Sequence, residues 1–92
     1  MEVKTNHEIA LEYIKNERAR QIQLWGTEDD MFCGHNSDWR EYLMKKLVIL
    51  MEEVGELSKE ALEKNMRLAL SEAIQVAAVS LAIVEGLLCE YE

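Results

Sequence analysis

The segment from Ala73 to Leu88 is apolar nearly all the way round a helix, and it constrains the fold more than any other part of the chain. Only four residues interrupt its apolar side chains: Gln75, Ser80, Glu85 and Gly86. A helix of this kind must be buried on most of its sides. A chain of 92 residues forms one domain and has too few other helices to cover it. We therefore expect a single all-α helical bundle, residues 1–92, completed by further copies of the chain as a homodimer or homotetramer.

The remaining composition favours a helical, cytoplasmic protein. The chain has no proline, and it carries 10 Lys and Arg against 18 Asp and Glu, a net charge of −8. An acidic chain offers no basic surface to a nucleic-acid backbone. The apolar run Val76–Val84 is too short to span a bilayer, the N-terminus lacks a signal peptide, and two cysteines are too few for a disulfide scaffold. We therefore predict a cytoplasmic protein that binds neither nucleic acid nor membrane.

Three helices are predicted from apolar spacing and capping residues. Their bounds are Thr5 or Asn6 to about Leu24, Asp38 to about Lys64–Asn65, and about Arg67 to about Leu88. Gly26 is expected to end the first helix, and a loop follows it to Ser37. The short joint between the second and third helices predicts that these long helices are antiparallel.

The second helix carries an apolar stripe at steps of three and four, which we expect to face the core. Its members are Trp39, Leu43, Leu47, Leu50, Val54, Leu57 and Ala61.

Two pairs of oxygen-bearing side chains indicate a candidate metal site. Glu53 and Glu56 are three residues apart on the second helix, and Glu72 and Gln75 are three apart on the third. On antiparallel neighbours the two pairs can face each other. Converging carboxylates are costly without a counter-ion, and a hard cation, Mg²⁺ or Mn²⁺, accepts such oxygen ligands.

The alternative interpretation is a solvated helix face. Glutamates at this spacing are common on helix surfaces, where Glu56 with Lys59, or Glu60 with Lys64, would form exposed ion pairs. Gln75 favours the metal site, because an amide within an apolar helix needs polar partners.

The acidic pairs, Glu53-x-x-Glu56 and Glu72-x-x-Gln75, resemble the motif of the MazG-like all-α NTP pyrophosphatases. Relatives in that family include the dimeric dUTPases and HisE. The segments Glu17–Gly26 and Glu72–Val79 are similar to short, phage-type MazG-like proteins.

The resemblance implies Mg²⁺-dependent hydrolysis of a nucleoside triphosphate, (d)NTP, to the monophosphate and pyrophosphate. It makes Glu53, Glu56 and Glu72 metal ligands. Gln75 stands where the family usually has Asp, so it offers a carbonyl oxygen but no charge. Carboxylate-held Mg²⁺ suits phosphoryl transfer, and either Glu52 or Glu53 is expected to help remove the proton from the attacking water.

Substrate-binding candidates lie around the acidic pairs. Five basic residues are candidates for binding the phosphates, of which Arg20 and Lys59 are preferred: Arg18, Arg20, Lys46, Lys59 and Arg67. The resemblance favours Trp25 as a stacking wall for the nucleobase, with packing at a helix end as the alternative. His35, in the predicted loop, either contacts the base or phosphate or is simply solvated.

Two other function classes stay open from the sequence. The first is a helical oligomerisation or regulatory module that keeps the fold with weak or no turnover, because Gln75 lacks the charge of Asp. The second is an acidic protein that binds a basic partner through its charged face.

Overall fold

The computed structural model describes the backbone of residues 3–30 and 39–91 and the side chains of residues 3–24 and 39–89. These ranges contain three helices: α1 (Asn6–Asp30), α2 (Trp39–Leu62) and α3 (Met66–Tyr91). The helices pack together and the described ranges contain no strand, so the prediction of an all-α bundle is confirmed.

The N-terminus of α1 confirms Thr5 as its cap. The Thr5 hydroxyl accepts a hydrogen bond from the Glu8 backbone N–H (3.1 Å), and the Glu8 carboxylate accepts one from the Thr5 backbone N–H (3.2 Å). This reciprocal pair satisfies two backbone donors that no carbonyl within the helix can reach.

The predicted end of α1 at about Leu24 was wrong. The helix continues through Gly26 to Asp30, so the beginning of the predicted loop is helical. Glycine within a helix costs only about 1 kcal/mol relative to Ala, and neighbouring residues can offset this cost. The predicted cap of α2, Asp38, lies outside the described residues.

A tight turn joins α2 to α3, and hydrogen bonds satisfy backbone groups both at the end of α2 and at the start of α3. Lys64 has a positive φ of 59°, and the backbone N–H groups of Lys64 and Asn65 donate to the carbonyl oxygens of Ala61 and Glu60. This pattern is a Schellman motif, which ends α2. The Asn65 side-chain oxygen then accepts a hydrogen bond from the Leu68 backbone N–H (3.2 Å) and caps α3.

Helix α3 lies between the other two helices and packs against both. Tyr42, near the start of α2, donates a hydrogen bond to the carbonyl oxygen of Ala82, late in α3 (3.1 Å). Glu53, further along α2, meets Glu72, early in α3. The order of these contacts shows that α2 and α3 are antiparallel, as predicted.

A partly buried ion pair, between Arg18 and the 40% exposed side chain of Glu85, joins α1 to α3. Arg18 Nε and Nη2 lie 3.0 and 2.7 Å from Oε1 of Glu85, and the Arg18 side chain is only 5% exposed. Glu85 was one of the four interruptions in the apolar segment, and this contact explains why α3 tolerates a charge there.

A groove of small residues on α3 determines the rotation of α2. Ala78, Ala82 and Gly86 follow at steps of four, so they share one face of the helix, and all three are buried. The ring of Tyr42 lies against Gly86, where an added Cβ would be 2.6 Å from ring atom Cε1. The face of α2 that meets α3 therefore contains Tyr42 and Lys46, which are both buried.

The apolar stripe predicted to face the core lies elsewhere on α2. It is turned by about 75° from the face that carries Tyr42 and Lys46, at 100° per residue. Two of its members, Trp39 and Val54, are 41% and 43% exposed, Ala61 is exposed and the others are half-buried. The prediction was wrong for a single chain, because periodicity identifies a face that needs covering but not its partner.

The two glycines within α2 and α3 are expected to respond oppositely to alanine. Gly86→Ala should lower the free energy of unfolding by about 1–3 kcal/mol, because the new Cβ overlaps the buried Tyr42 ring. Gly55→Ala is the matched control: nothing lies within 4 Å of its added Cβ, and the substitution should raise stability by about 1 kcal/mol. Urea denaturation followed by circular dichroism measures both. Stabilisation by Gly86→Ala would contradict the packing of Tyr42.

The chain exposes more surface than a compact protein of its size. Its accessible surface is 7079 Å², whereas a monomer of 10.7 kDa typically exposes about 5500 Å². Its radius of gyration is 14.8 Å, against about 12 Å for a compact domain of this length. Large apolar side chains on the outer faces of α2 and α3 account for part of this surface. They include Met44, Val48, Met51, Leu70, Val84 and Leu88.

Two features of α3 bear on the predicted surroundings of the protein. By length and composition, Met66–Cys89 is apolar enough to cross a membrane, over a longer stretch than the run Val76–Val84. One such helix is a weak indication, since core helices of soluble proteins meet the same criterion.

Cys89 is disulfide-bonded, and disulfides are rare in the cytoplasm. The chain's other cysteine, Cys33, lies outside the described residues. Cytoplasmic localisation and the absence of membrane binding stay predictions.

Candidate metal centre

The antiparallel pairing of α2 and α3 brings three glutamates together. Glu53 and Glu56 lie one turn apart on α2, and Glu72 lies opposite them on α3. Each offers a carboxylate oxygen, and the three oxygens all lie within 4.8 Å of one another. Glu53 and Glu72 are half-buried and Glu56 is exposed, so the cluster opens to solvent on one side. We call these three residues the glutamate cluster.

Burial and neighbouring negative charges both disfavour the ionised form of Glu53. Its pKa is raised to about 7, first by burial and then by a hydrogen bond with the Glu72 carboxyl group. The negative charges of Glu56, Glu72 and Glu17 raise the pKa of Glu53 further. Two carboxyl groups can share a hydrogen bond only while one of them is protonated. Glu53 therefore keeps its proton to a higher pH than a solvated glutamate does.

Unpartnered oxygens in the cluster fit a hard cation. Glu53 Oε2 and Glu72 Oε2 are buried, and apart from the hydrogen bond that the two carboxyl groups share, neither has a donor in the described chain. Buried acceptors are rarely left in this state, so each calls for an explanation. A divalent cation would supply positive charge to both oxygens and remove the repulsion that raises the pKa of Glu53. Three carboxylate oxygens are a donor set suited to Mg²⁺ or Mn²⁺.

Arg20 lies beside the cluster, on α1. Its Nε and Nη2 donate to Oε1 and Oε2 of Glu17 at 2.8 and 2.6 Å. This hydrogen-bonded pair raises the pKa of Arg20, and the charges of Glu17 and Glu53 raise it too. The Arg20 side chain is 53% exposed. Arg20 is therefore a half-exposed positive charge close enough to interact electrostatically with Glu53. A residue that binds phosphate beside a cation site needs both properties.

The other predicted site residues have different positions. Glu52 is exposed and points about 100° round α2 from Glu53, and Lys59 is exposed two turns further along. Gln75 is half-buried, one turn beyond Glu72 on α3. The Trp25 side chain and all of His35 lie outside the described residues. The roles of these five residues stay predictions.

Two residues of α1 lie near the cluster, Glu17 through its charge and Gln21 through Glu17; both belong to the segment Glu17–Gly26 that carries the resemblance, but no site role was predicted for them. Glu17 is one of the charges acting on Glu53, and Gln21 donates a hydrogen bond from Nε2 to Glu17 Oε2 (3.3 Å). Glu17, Arg20 and Gln21 are spaced by three and four residues, so they share one face of α1. That spacing was visible in the sequence, but nothing in it indicated which helix this face meets.

No family model, curated protein or solved structure matches this chain. The candidate site therefore rests on the geometry and chemistry of the described residues.

Proposed function

We propose that this protein is a divalent-cation-dependent pyrophosphohydrolase that cleaves a nucleoside triphosphate, (d)NTP, to the monophosphate and pyrophosphate. The observation that carries the proposal is the convergence of Glu53, Glu56 and Glu72 from two helices, with their oxygens within 4.8 Å of one another. The order of the acidic pairs, which resembles the MazG-like family, supports this choice of reaction.

In this proposal the residues divide the work between binding the cation and binding the phosphates. Glu53, Glu56 and Glu72 hold Mg²⁺ or Mn²⁺, with Gln75 as a further oxygen donor. When bound there, the cation would supply positive charge to neutralise the phosphates and a ligand position for the attacking water. Arg20 and Lys59 bind phosphate oxygens, and Trp25 and His35 are candidates for contacts with the base. Either Glu52 or Glu53 accepts the proton of the water.

An assay of pyrophosphate release tests this function directly. The protein is incubated with each of the four dNTPs and Mg²⁺, and pyrophosphate is measured. We expect release from at least one dNTP, abolished by EDTA and restored by Mg²⁺ or Mn²⁺. Release no greater than that of Glu53→Gln with every nucleotide would contradict the proposal.

Self-association is part of the proposal. The chain exposes about 1500 Å² more than a compact monomer of its mass, as estimated above. Stable obligate dimers bury roughly 1000 Å² or more from each partner, so this excess is enough for such an interface. The exposed apolar faces of α2 and α3 are the surfaces that a second copy would cover. We therefore include assembly into a homodimer or homotetramer in the proposal.

A helical oligomerisation or regulatory module is the second candidate function. The exposed apolar faces favour it, since they need a partner whether or not the chain turns over substrate. Gln75 also adds no charge to the glutamate cluster. Sedimentation as an oligomer without pyrophosphate release in the assay would favour this candidate.

A further inference from the structure

Helix α1 brings a hydrogen-bonded group to the glutamate cluster. The Glu17 side chain is 13% exposed, and it accepts hydrogen bonds from both Arg20 and Gln21. Glu17 also acts electrostatically on Glu53, so the group lies within the field of the cluster. All three helices therefore contribute polar side chains to this part of the molecule.

Gln21 has an unusual environment for an amide. The residue is only 2% exposed, one of the most deeply buried in the chain, and its Oε1 has no hydrogen-bond partner in the described structure. The orientation of the amide is determined by its neighbour, because exchanging Oε1 and Nε2 would place an oxygen against the carboxylate of Glu17. The unpartnered atom is therefore an acceptor, and its missing partner must be a donor.

No side chain in the described structure supplies that donor. Two more buried oxygens, Glu53 Oε2 and Glu72 Oε2, have no donor apart from the hydrogen bond that their carboxyl groups share, and they belong to the glutamate cluster beside Glu17. A divalent cation held by the cluster would bind the two carboxylate oxygens directly, and its remaining waters would be hydrogen-bond donors of the kind that Gln21 Oε1 lacks. Groups outside the ligand set commonly orient metal sites in this way.

We propose that Gln21 is a positioning residue of the cation site: its Oε1 accepts a hydrogen bond from the cation's hydration shell, and its Nε2 holds Glu17. This inference rests on the cation site of the proposed function. It adds a residue from α1 to a site otherwise built from α2 and α3.

Mn²⁺ binding to Gln21→Met tests the inference. Methionine matches glutamine in length and removes both polar atoms. Isothermal titration calorimetry with Mn²⁺ alone, on protein freed of divalent cations, should show binding about 10–100-fold weaker than that of the wild type. Gln23→Met is the matched control, because Gln23 is on the same helix and exposed, and it should bind Mn²⁺ like the wild type.

Stability without cations separates this role from a purely structural one. Gln21→Met removes a buried acceptor that has no partner, which favours stability, and also the hydrogen bond from Nε2 to Glu17, which opposes it, so its urea midpoint without cations should stay close to that of the wild type. A lower midpoint with unchanged Mn²⁺ affinity would show that Gln21 only supports packing, and would overturn the inference.

Two further outcomes distinguish this inference from the proposed function. If the wild type binds no Mn²⁺, the cation site and the proposed function both fail, and the inference fails with them. If the wild type, Gln23→Met and Gln21→Met bind Mn²⁺ equally, only the role of Gln21 is overturned. Should Gln21→Met fail to fold, Gln21→Asn, whose shorter side chain keeps an amide but withdraws its oxygen by one methylene group, is expected to bind Mn²⁺ more weakly than the wild type, and equal binding would overturn the inference.

Discussion

Glu72→Gln is expected to reduce kcat/KM for pyrophosphate release by about a hundredfold or more, roughly 3 kcal/mol of transition-state stabilisation. The substitution keeps the size of the side chain but removes its negative charge. Glu72 is the only member of the glutamate cluster on α3. In Glu72→Gln the two remaining carboxylates, Glu53 and Glu56, both lie on α2, and α3 contributes no charge to the cluster. Steady-state kinetics with the preferred dNTP, at several Mg²⁺ concentrations, measure the effect.

The matched control for this prediction is Glu63→Gln. Glu63 is an exposed glutamate that lies just after α2 and outside the cluster, and its substitution should leave kcat/KM within about twofold of the wild type. If Glu72→Gln and Glu63→Gln had equal activity, the α3 side of the cluster would have no part in the reaction. Raising the Mg²⁺ concentration should recover part of the activity of Glu72→Gln, because weaker cation binding contributes to its loss.

Without divalent cations, the wild type is expected to become less stable as pH rises from about 4.5 to about 7. In the folded chain the pKa of Glu53 is about 7, and its ordinary value is 4.5. Between these values the folded state holds a proton that the unfolded state has released, so raising the pH favours unfolding. The shift corresponds to about 3 kcal/mol, and partial solvent screening of this half-buried group lowers the expected loss to about 2 kcal/mol.

Glu53→Gln isolates this contribution. The variant cannot ionise at residue 53, so it should be more stable than the wild type at pH 8 in EDTA, with the difference disappearing near pH 4.5. Urea denaturation at pH 5, 6, 7 and 8 measures the two curves, and Glu63→Gln should follow the wild type. Parallel curves for the wild type and Glu53→Gln would contradict the raised pKa.

Divalent cations should reverse the order of stability. Mg²⁺ or Mn²⁺ at pH 8 should raise the melting temperature of the wild type, because the cation binds the ionised cluster of the folded state. Glu53→Gln offers one carboxylate fewer and should gain much less. We therefore expect Glu53→Gln to be more stable than the wild type without cations and to gain less stability than the wild type when a cation is added. This combination is expected for a site whose carboxylates bind a cation.

Local signals in the sequence predicted the helices well. Thr5 was one of the two predicted starts of α1, and it caps that helix; Asn65, predicted only as the end of α2, also caps α3, and each cap satisfies a backbone donor within its own turn. The end of α1 was less predictable. Gly26 is compatible with ending a helix and with continuing it, and the energy difference between these is small enough for surrounding contacts to decide.

The sequence also predicted the glutamate cluster, and for a clear reason. A spacing of three residues places Glu53 beside Glu56 on any α-helix, and the short joint after α2 makes α3 its antiparallel neighbour. Glu17 and Gln21 could not be assigned to the site in the same way. Both belong to α1, and residue spacing within one helix gives no information about which of its faces meets the other helices.

The amino-acid sequence alone determined which segments are helical, which side chains share a helix face and which faces must be covered, because these depend on backbone geometry and apolar periodicity within about ten residues. Only the tertiary structure decided how α2 is rotated and what α1 contacts. Tyr42 meets Gly86 because small residues on α3 leave room for its ring, and Arg18 meets Glu85 across 67 positions of sequence. Such choices depend on shape and charge complementarity between distant surfaces, which have no local sequence pattern.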